Sequence, residues 1–500
     1  MKAAPVIAAA LAVSCASAPA PTPPAPVTAV APAPAPAVAP WTRTPPPPPL
    51  AKVFPATPAV TRATLDTGLQ VVIVEHHRRP VVTVNLVLAH GALADPPESA
   101  GMTFMAVHLA SDFYETMGVN DMPGDERSFR RRVSELGGAA TFDVESDYSS
   151  IQIAGYAIDT GKYLKMIVDA VRHPRHGARS FDARRDMVLD ILDSIESEDP
   201  QALQLLMAQS AFGQDHPYAR APFGNTETLN ALELQEVMEQ QQVVFVPTGS
   251  TLLIVGDVKA AEVMAAVKAS FGNWQGYKDL TPMPRVQQPS LSNNPSEIGY
   301  VERKSASTLL TCALRPLPEV SGDDPALEIL TSILGEGFGS RLGMALREEN
   351  GLTYGANAEI VRRRQASALI ACSALHGDKG RQGLQLFRGA FEGLREKPPT
   401  DDEVRRAKAL RLAEIEASYD DVVSSTRTWL KALMLGYGAP RLDQERAALE
   451  RVTAKDVQKI ARTIFKPKTI RWVVSGDRRI ATQAVEASGA GKLKPFVPGR

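Results

Sequence analysis

The stretch GMTFMAVHLA, residues 101–110, carries one histidine, His108, on a segment that reads as a helix. An imidazole can ligate a metal, but catalytic zinc takes three protein ligands and a water. On a helix a companion ligand stands one turn away, because residues i and i+4 share a face. The other histidines read as structural: His76 and His77 sit in the polar turn EHHRRP, His90 ends a strand, and His173 and His176 lie in the loop-like RHPRHG. A different chemistry is on offer in REENGLTY, residues 347–354, which begins with Arg347 and ends with Tyr354. A guanidinium and a phenol are both donors, suited to a carbonyl oxygen and to the charge it develops on attack. The glycine-rich GEGFGSR ahead of them lets the backbone turn tightly and approach a partner closely.

The elements that must hold these groups are duplicated. VFVPTGSTLLIVGD in the first half and TIFKPKTIRWVVSGD near the end match at a constant offset of 220, pairing Phe245 with Phe465, Pro247 with Pro467, Gly256 with Gly476 and Asp257 with Asp477. Each copy follows an amphipathic helix (LNALELQEVMEQQ, ALERVTAKDVQKIAR) and contains an apolar strand. A period this long means a duplicated domain rather than a solenoid. The first copy opens with LDTGLQVVIVEHHRRPVVTVNLVLAHG, whose Val/Ile runs read as two strands broken at Arg79-Pro80. Helices then alternate with strands such as DYSSIQIAGYA. The polar, proline-bearing YKDLTPMPRVQQPSLSNNPSE separates the copies. The expected domains are therefore 58–276 and 298–490, each α+β, joined by a linker at 277–297.

Composition narrows the partners. Lys and Arg number 55 against 56 Asp and Glu, with no basic stripe interleaved with aromatics, so nucleic acid is excluded as an expected partner. MKAAPVIAAALAVSC, residues 1–15, has the layout of a secretory signal: Lys2, a short apolar core, small residues before a cysteine. It resembles a bacterial lipoprotein signal, with Cys15 the lipidated residue. One acylated cysteine tethers a chain without spanning the bilayer. The Pro/Ala-rich stretch at 16–57 cannot build a core and reads as a semi-rigid spacer. A Gram-negative envelope protein, periplasmic and anchored to the outer membrane, is the expectation. Cys312 and Cys372 are compatible with a disulfide or with two buried thiols.

Several motifs together resemble the insulinase/pitrilysin family of zinc metallopeptidases. They are TGLQV, a helix after DPPESAG, an LGG turn, a long helix ending ESEDP, then HPYARAPFGNTETL, and above all GEGFGSRLGMALREENGLTYG. The resemblance runs from about residue 60 to 480. It implies two similar α+β domains, each a mostly antiparallel sheet packed with helices, facing each other across a cavity. The family places H-x-x-E-H on one helix and a third ligand, a glutamate, on another. Aligned on Gly101, the motif positions fall at Phe104, Val107 and His108, and the distant glutamate at Ile191 or Leu192. Asp190 and Asp193 are neighbours, but a step along a helix rotates a side chain by about 100° and turns them to solvent. Arg347 and Tyr354 stand where the family's arginine–tyrosine pair stands, and Thr141 stands in place of an asparagine that meets substrate.

The resemblance thus implies a chain without its own zinc, carrying Arg347, Tyr354 and Thr141 as peptide-binding residues. The expected function is a non-catalytic subunit that pairs with a zinc-bearing homologue as a heterodimer and adds the Arg/Tyr pair to proteolysis. Two alternatives are a stand-alone peptide-binding or scaffold protein of the envelope, and a metalloendopeptidase with an unorthodox zinc site.

Overall fold

Strands form where Val, Ile and Leu run uninterrupted, because such runs bury both faces of a central strand. The computed structural model describes residues 58–110, 129–174, 177–196, 211–213, 216–276, 283–289, 297–317 and 324–495. The signal-like segment with Cys15, the whole spacer, and His176 lie outside the described residues. The first half builds β1 (Val60–Thr64), β2 (Gln70–Glu75), β3 (Val81–Leu88), β4 (Ala139–Val144), β5 (Ser149–Tyr156) and β6 (Thr251–Gly256) into one sheet, ordered β1-β2-β6-β3-β5-β4. The second half builds β7 (Glu297–Glu302), β8 (Thr308–Leu317), β9 (Ala356–Arg362), β10 (Ser367–His376), β11 (Arg471–Gly476) and β12 (Lys492–Pro495), ordered β12-β7-β11-β8-β10-β9. Both sheets are mostly antiparallel, with β6 lying parallel to β2 in the first and β7 lying parallel to both β11 and β12 in the second. Five strands superpose in order, and the sixth is added to the same edge from opposite ends of the chain.

The helices of the first half are α1 (Met102–Leu109), α2 (Phe129–Glu135), α3 (Thr160–Arg172), α4 (Ala178–Glu196), α5 (Thr226–Ala231), α6 (Leu234–Val244) and α7 (Ala260–Phe271). Those of the second are α8 (Pro325–Gly335), α9 (Gly380–Glu396), α10 (Asp401–Ala417), α11 (Val422–Met434), α12 (Leu442–Arg451), α13 (Ala454–Ile464) and α14 (Arg478–Ser488). Each of the two amphipathic segments expected as a single helix is in fact two, broken before Glu233 and before Thr453. The breaks also lie 220 apart. The carboxylate of Glu236 accepts from the Glu233 N–H at 3.0 Å, and that of Asp456 from the Thr453 N–H at 2.9 Å. Each satisfies a donor that a helix start leaves open. Apolar periodicity runs through both breaks and cannot reveal them.

The halves grip each other reciprocally. From the second half, α11 lays Val422 and Trp429 on the first sheet, against Val72, Val74, Leu253 and Val255. Thr426 and Thr83 share a hydrogen bond at 2.6 Å there. His76, expected in a polar turn, is buried at this contact with Nε2 at 3.1 Å from the Tyr419 carbonyl, because the second half covers the turn. From the first half, Ala211, Phe212 and Tyr218 lie on the second sheet with Leu314, Ala368, Ile370 and Val473. Asp147 ties the junction, accepting from the Tyr218 hydroxyl at 2.6 Å and the Arg364 N–H at 3.0 Å.

Within that second interface Cys312 on β8 and Cys372 on β10 stand directly opposite and form a disulfide, their Cα atoms 4.2 Å apart. The alternatives left open by composition are thereby resolved as a pair. Closing 60 residues removes chain entropy worth roughly 4 kcal/mol. A Cys312→Ser/Cys372→Ser double variant is expected to lose about that much stability in urea. A midpoint unmoved by the double substitution would show the bond to be absent in solution.

Candidate functional site

Everything around α1 is fixed from its N-terminus. Gly101 sits at φ 96°, and a Cβ there would come within 2.6 Å of the Phe223 carbonyl oxygen, so only glycine fits the entry. The buried carboxylate of Asp95 accepts from the N–H groups of Gly101 (3.2 Å) and Thr103 (3.1 Å), and from the Thr103 hydroxyl at 2.5 Å. Arg220 donates to the Asp95 carbonyl at 3.1 Å. Burial outweighs these donors and lifts the Asp95 carboxyl to about 6. From α6, Gln240 donates to the Thr103 hydroxyl and Gln241 to the Ala106 carbonyl, each at 2.9 Å.

On this helix the metal positions are filled with packing. The Phe104 ring lies 4.0 Å from the His108 ring and edge-on to Phe223 at 6.2 Å. Val107 is fully buried in the core under the first sheet. His108 is buried, and desolvation, with smaller contributions from Arg184 and Arg130, drives its pKa down to about 3. It is therefore neutral at any ordinary pH. On α4, Ile191 is 42% exposed, while Leu192 packs into the cluster beneath α1 with Val188. Asp190 and Asp193 face solvent, as helical rotation requires. Of the other histidines, His90 is fully buried just after β3, and His173 is exposed. Among the described residues no group of three His, Cys, Asp or Glu side chains is placed to hold a metal ion. The structure thus brings the Phe104 and His108 rings together, tilted by 30° to each other, with no ligating group at the glutamate positions.

The second half presents the opposite picture. Arg347 lies in a π-helical turn, Gly343–Glu348, its guanidinium 4.2 Å over the Phe338 ring and its Nε 3.4 Å from the Glu348 carboxylate. The backbone around Tyr354 is pinned. Leu352 is buried and its N–H donates to the Leu346 carbonyl at 2.7 Å, and the Thr353 hydroxyl donates to the Ala374 carbonyl at 2.7 Å. Yet Tyr354 itself is 90% exposed, with the His376 ring 6.1 Å away. A large aromatic held rigidly in water is an unusual expense unless something covers it. Thr141 is exposed on β4, an edge strand, where its hydroxyl bonds the Asp143 carboxylate. Sequence reasoning missed three residues here. Asp95 anchors α1, Phe338 carries Arg347, and His376 stands by Tyr354. A phenylalanine flanked by glycines in GEGFGS was the readable sign for Phe338, since nothing adjacent could bury it.

Two similar domains with this pattern of lost ligands define an M16-type peptidase fold with a degenerate metal site. Residues 231–411 match the peptidase M16 inactive domain. An uncharacterized zinc protease of Mycobacterium tuberculosis is 21% identical over 440 residues, covering 87% of this chain and 98% of that protein. The zinc protease PqqE of Helicobacter pylori is 19% identical, covering 82% of this chain and 91% of that protein. Among solved structures, a protease from Helicobacter pylori superposes with TM-score 0.72 at 18% identity, covering 84% of this chain and 99% of that one. The peptidase M16 inactive domain from Pseudomonas fluorescens gives 0.70 at 19% identity, covering 84% and 98%. The first half of the periplasmic protease PqqL from Escherichia coli gives 0.69 at 14%, covering 88% and 98%. The fold is thus that of the M16-like peptidases, part of the second half matches their inactive-domain model, and the chain is similar in sequence to proteins named zinc proteases.

Proposed function

We propose that this chain is a non-catalytic subunit that pairs with a zinc-bearing homologue and supplies Arg347 and Tyr354 to peptide binding and proteolysis. One contrast carries the reading. The positions that would make an activated water hold the partly buried Phe104 and the buried Val107, while Tyr354 stands 90% exposed on a pinned backbone. A heterodimer in which the partner brings zinc and this chain brings donors uses both facts. The Arg347 guanidinium, over the Phe338 ring and with its Nε toward Glu348, has terminal N–H groups to offer a peptide carbonyl. Thr141 on the exposed β4 edge adds a hydroxyl to the same peptide.

Purified chain added to such a homologue is expected to raise its peptide hydrolysis. Arg347→Ala or Tyr354→Phe should cut that gain by on the order of 100-fold if the pair meets the developing oxyanion. No gain on mixing overturns the partnership. Peptide binding that survives chelator and needs no homologue would instead mark a stand-alone scaffold. Stoichiometric zinc in the chain alone, lost in His108→Ala, would mark an autonomous peptidase.

The expected location is periplasmic, with Cys15 lipidated. The Cys312–Cys372 disulfide supports an oxidising compartment, and the PqqL relative in fold is a periplasmic protease. Radiolabelled palmitate should enter the full chain and be lost in Cys15→Ala. Equal label in both would remove the anchor from the scheme.

A further inference from the structure

The second half has its own counterpart of the sealed cleft. α8 follows β8 as α1 follows β3, and it packs on α13, β9 and α10 as α1 packs on α6, β4 and α4. Where the first half puts Phe104, His108 and Ile191 on that helix pair, the second puts charges. Glu328 on α8 pairs with Arg362 of β9, and at 3.7 Å with Arg411 on α10. Arg411 also reaches Glu336 at 2.7 Å and Glu414 at 2.8 Å, and its Nε is buried without a hydrogen-bond partner. These residues are not sealed in. Beside them opens a cavity of ≈ 330 Å³, bounded on its far side by α11 and α12. Ile415, Leu442 and Leu449 give it an apolar wall, while Glu445, Arg441 and Lys431 add further charges of both signs. The Arg441 guanidinium is held 4.5 Å over the Tyr437 ring.

We propose that this cavity binds a short zwitterionic peptide of two or three residues carrying an aliphatic side chain. A neutral apolar ligand would cover the charges without answering them, at the cost of their hydration. A simple anion would meet Glu328, Glu414 and Glu445 as well as the arginines and Lys431, and a simple cation would meet those four cations as well as the carboxylates. An ammonium and a carboxylate separated by one or two peptide units answer both signs at once, with the side chain on the apolar wall. The volume lies at the low end of small-molecule sites and excludes a folded segment. The site needs neither zinc nor a partner subunit, so it stands apart from the partnership. It also touches the contact between the halves. Thr428 and Ala432 of α11 line the cavity, and Trp429 of the same helix packs on the first sheet.

Calorimetric titration of the full chain with the dipeptide Leu-Leu tests the proposal, with N-acetyl-Leu-Leu-amide as the uncharged comparison. Saturable binding of Leu-Leu is expected, at least tenfold weaker for the capped peptide. Ala448→Trp, which fills the cavity from α12, should abolish it, and Arg441→Gln, an exposed substitution that leaves the fold intact, should weaken it by about tenfold. Hydrogen exchange across α11 should slow when Leu-Leu is added. Equal binding of both peptides, undiminished binding in Arg441→Gln, or undiminished binding in Ala448→Trp overturns the site, the last by assigning the peptide to another surface.

Discussion

His108→Gln is expected to give a protein whose stability falls as pH rises from 4 to 6, where the wild type stays nearly level. The argument rests on two buried groups at opposite ends of one short helix. His108 titrates at about 3 in the folded chain against 6.5 when exposed. Its proton therefore prefers the unfolded state, and stability is lost as pH drops below 6.5 toward 3. Asp95 titrates at about 6 folded against 3.8 exposed. Its proton prefers the folded state, so stability is lost as pH climbs through 3.8 to 6. Integrated from pH 4 to 6, the histidine adds about 2.5 kcal/mol and the aspartate removes about 2. The two slopes nearly cancel. His108→Gln removes the first and exposes the second, and Asp95→Asn does the reverse, giving a stability that rises with pH over the same window. Urea unfolding at pH 4, 5 and 6 measures all three proteins. Parallel pH curves for wild type and His108→Gln would mean that the imidazole is solvated, and the sealed-cleft description would fail with it.

The same residues show what a sequence can and cannot tell. Loss of chemistry was legible, because a metal site is a set of residue types at fixed spacing, and Phe104, Val107 and Ile191 are the wrong types. The duplication was legible because Gly256 and Gly476, Pro247 and Pro467 mark turns that tolerate few substitutes. The strands followed from runs of valine and isoleucine. What replaced the chemistry was not legible. That the Phe104 ring packs on His108 rather than turning to solvent, and that Asp95 folds back to cap the helix from six residues before Gly101, depends on loop conformation and on what covers the helix, which residue types alone do not fix. The strand order was hidden for the same reason: β6 enters between β2 and β3 from more than 160 residues away. So was the grip of α11 on the first sheet, since amphipathic spacing says that a face is buried and not against what. The exposure of Tyr354 is a further case. A tyrosine before a strand reads equally well as core, and only the pinned loop turns it outward.

Val107→Glu restores the missing general base of the H-x-x-E-H pattern, and the expected result is damage rather than repair. Val107 is fully buried among the side chains beneath the first sheet. A carboxylate there loses its hydration and has no zinc-bound water to serve. Arg184 and Arg130 act on the ring of His108, one residue on and about 100° around the helix. The acid either stays charged at a cost or takes a proton and leaves a polar group in apolar surroundings. Either way the fold should lose roughly 3–5 kcal/mol at pH 7. Protonation is the cheaper choice, so the loss should shrink toward pH 5 as the raised pKa is crossed. Val107→Met keeps the site apolar at nearly the same volume and should cost less than about 1.5 kcal/mol. The comparison isolates charge from packing. A further variant, Phe104→His/Val107→Glu/Ile191→Glu, puts all the ligand types back, and zinc should raise its melting temperature while leaving Val107→Glu unmoved, because only a full set holds the ion. If Val107→Glu alone unfolds no more easily than Val107→Met, the cleft is open to water. The absence of the motif would then be a recent loss of residues, rather than a cleft rebuilt as core.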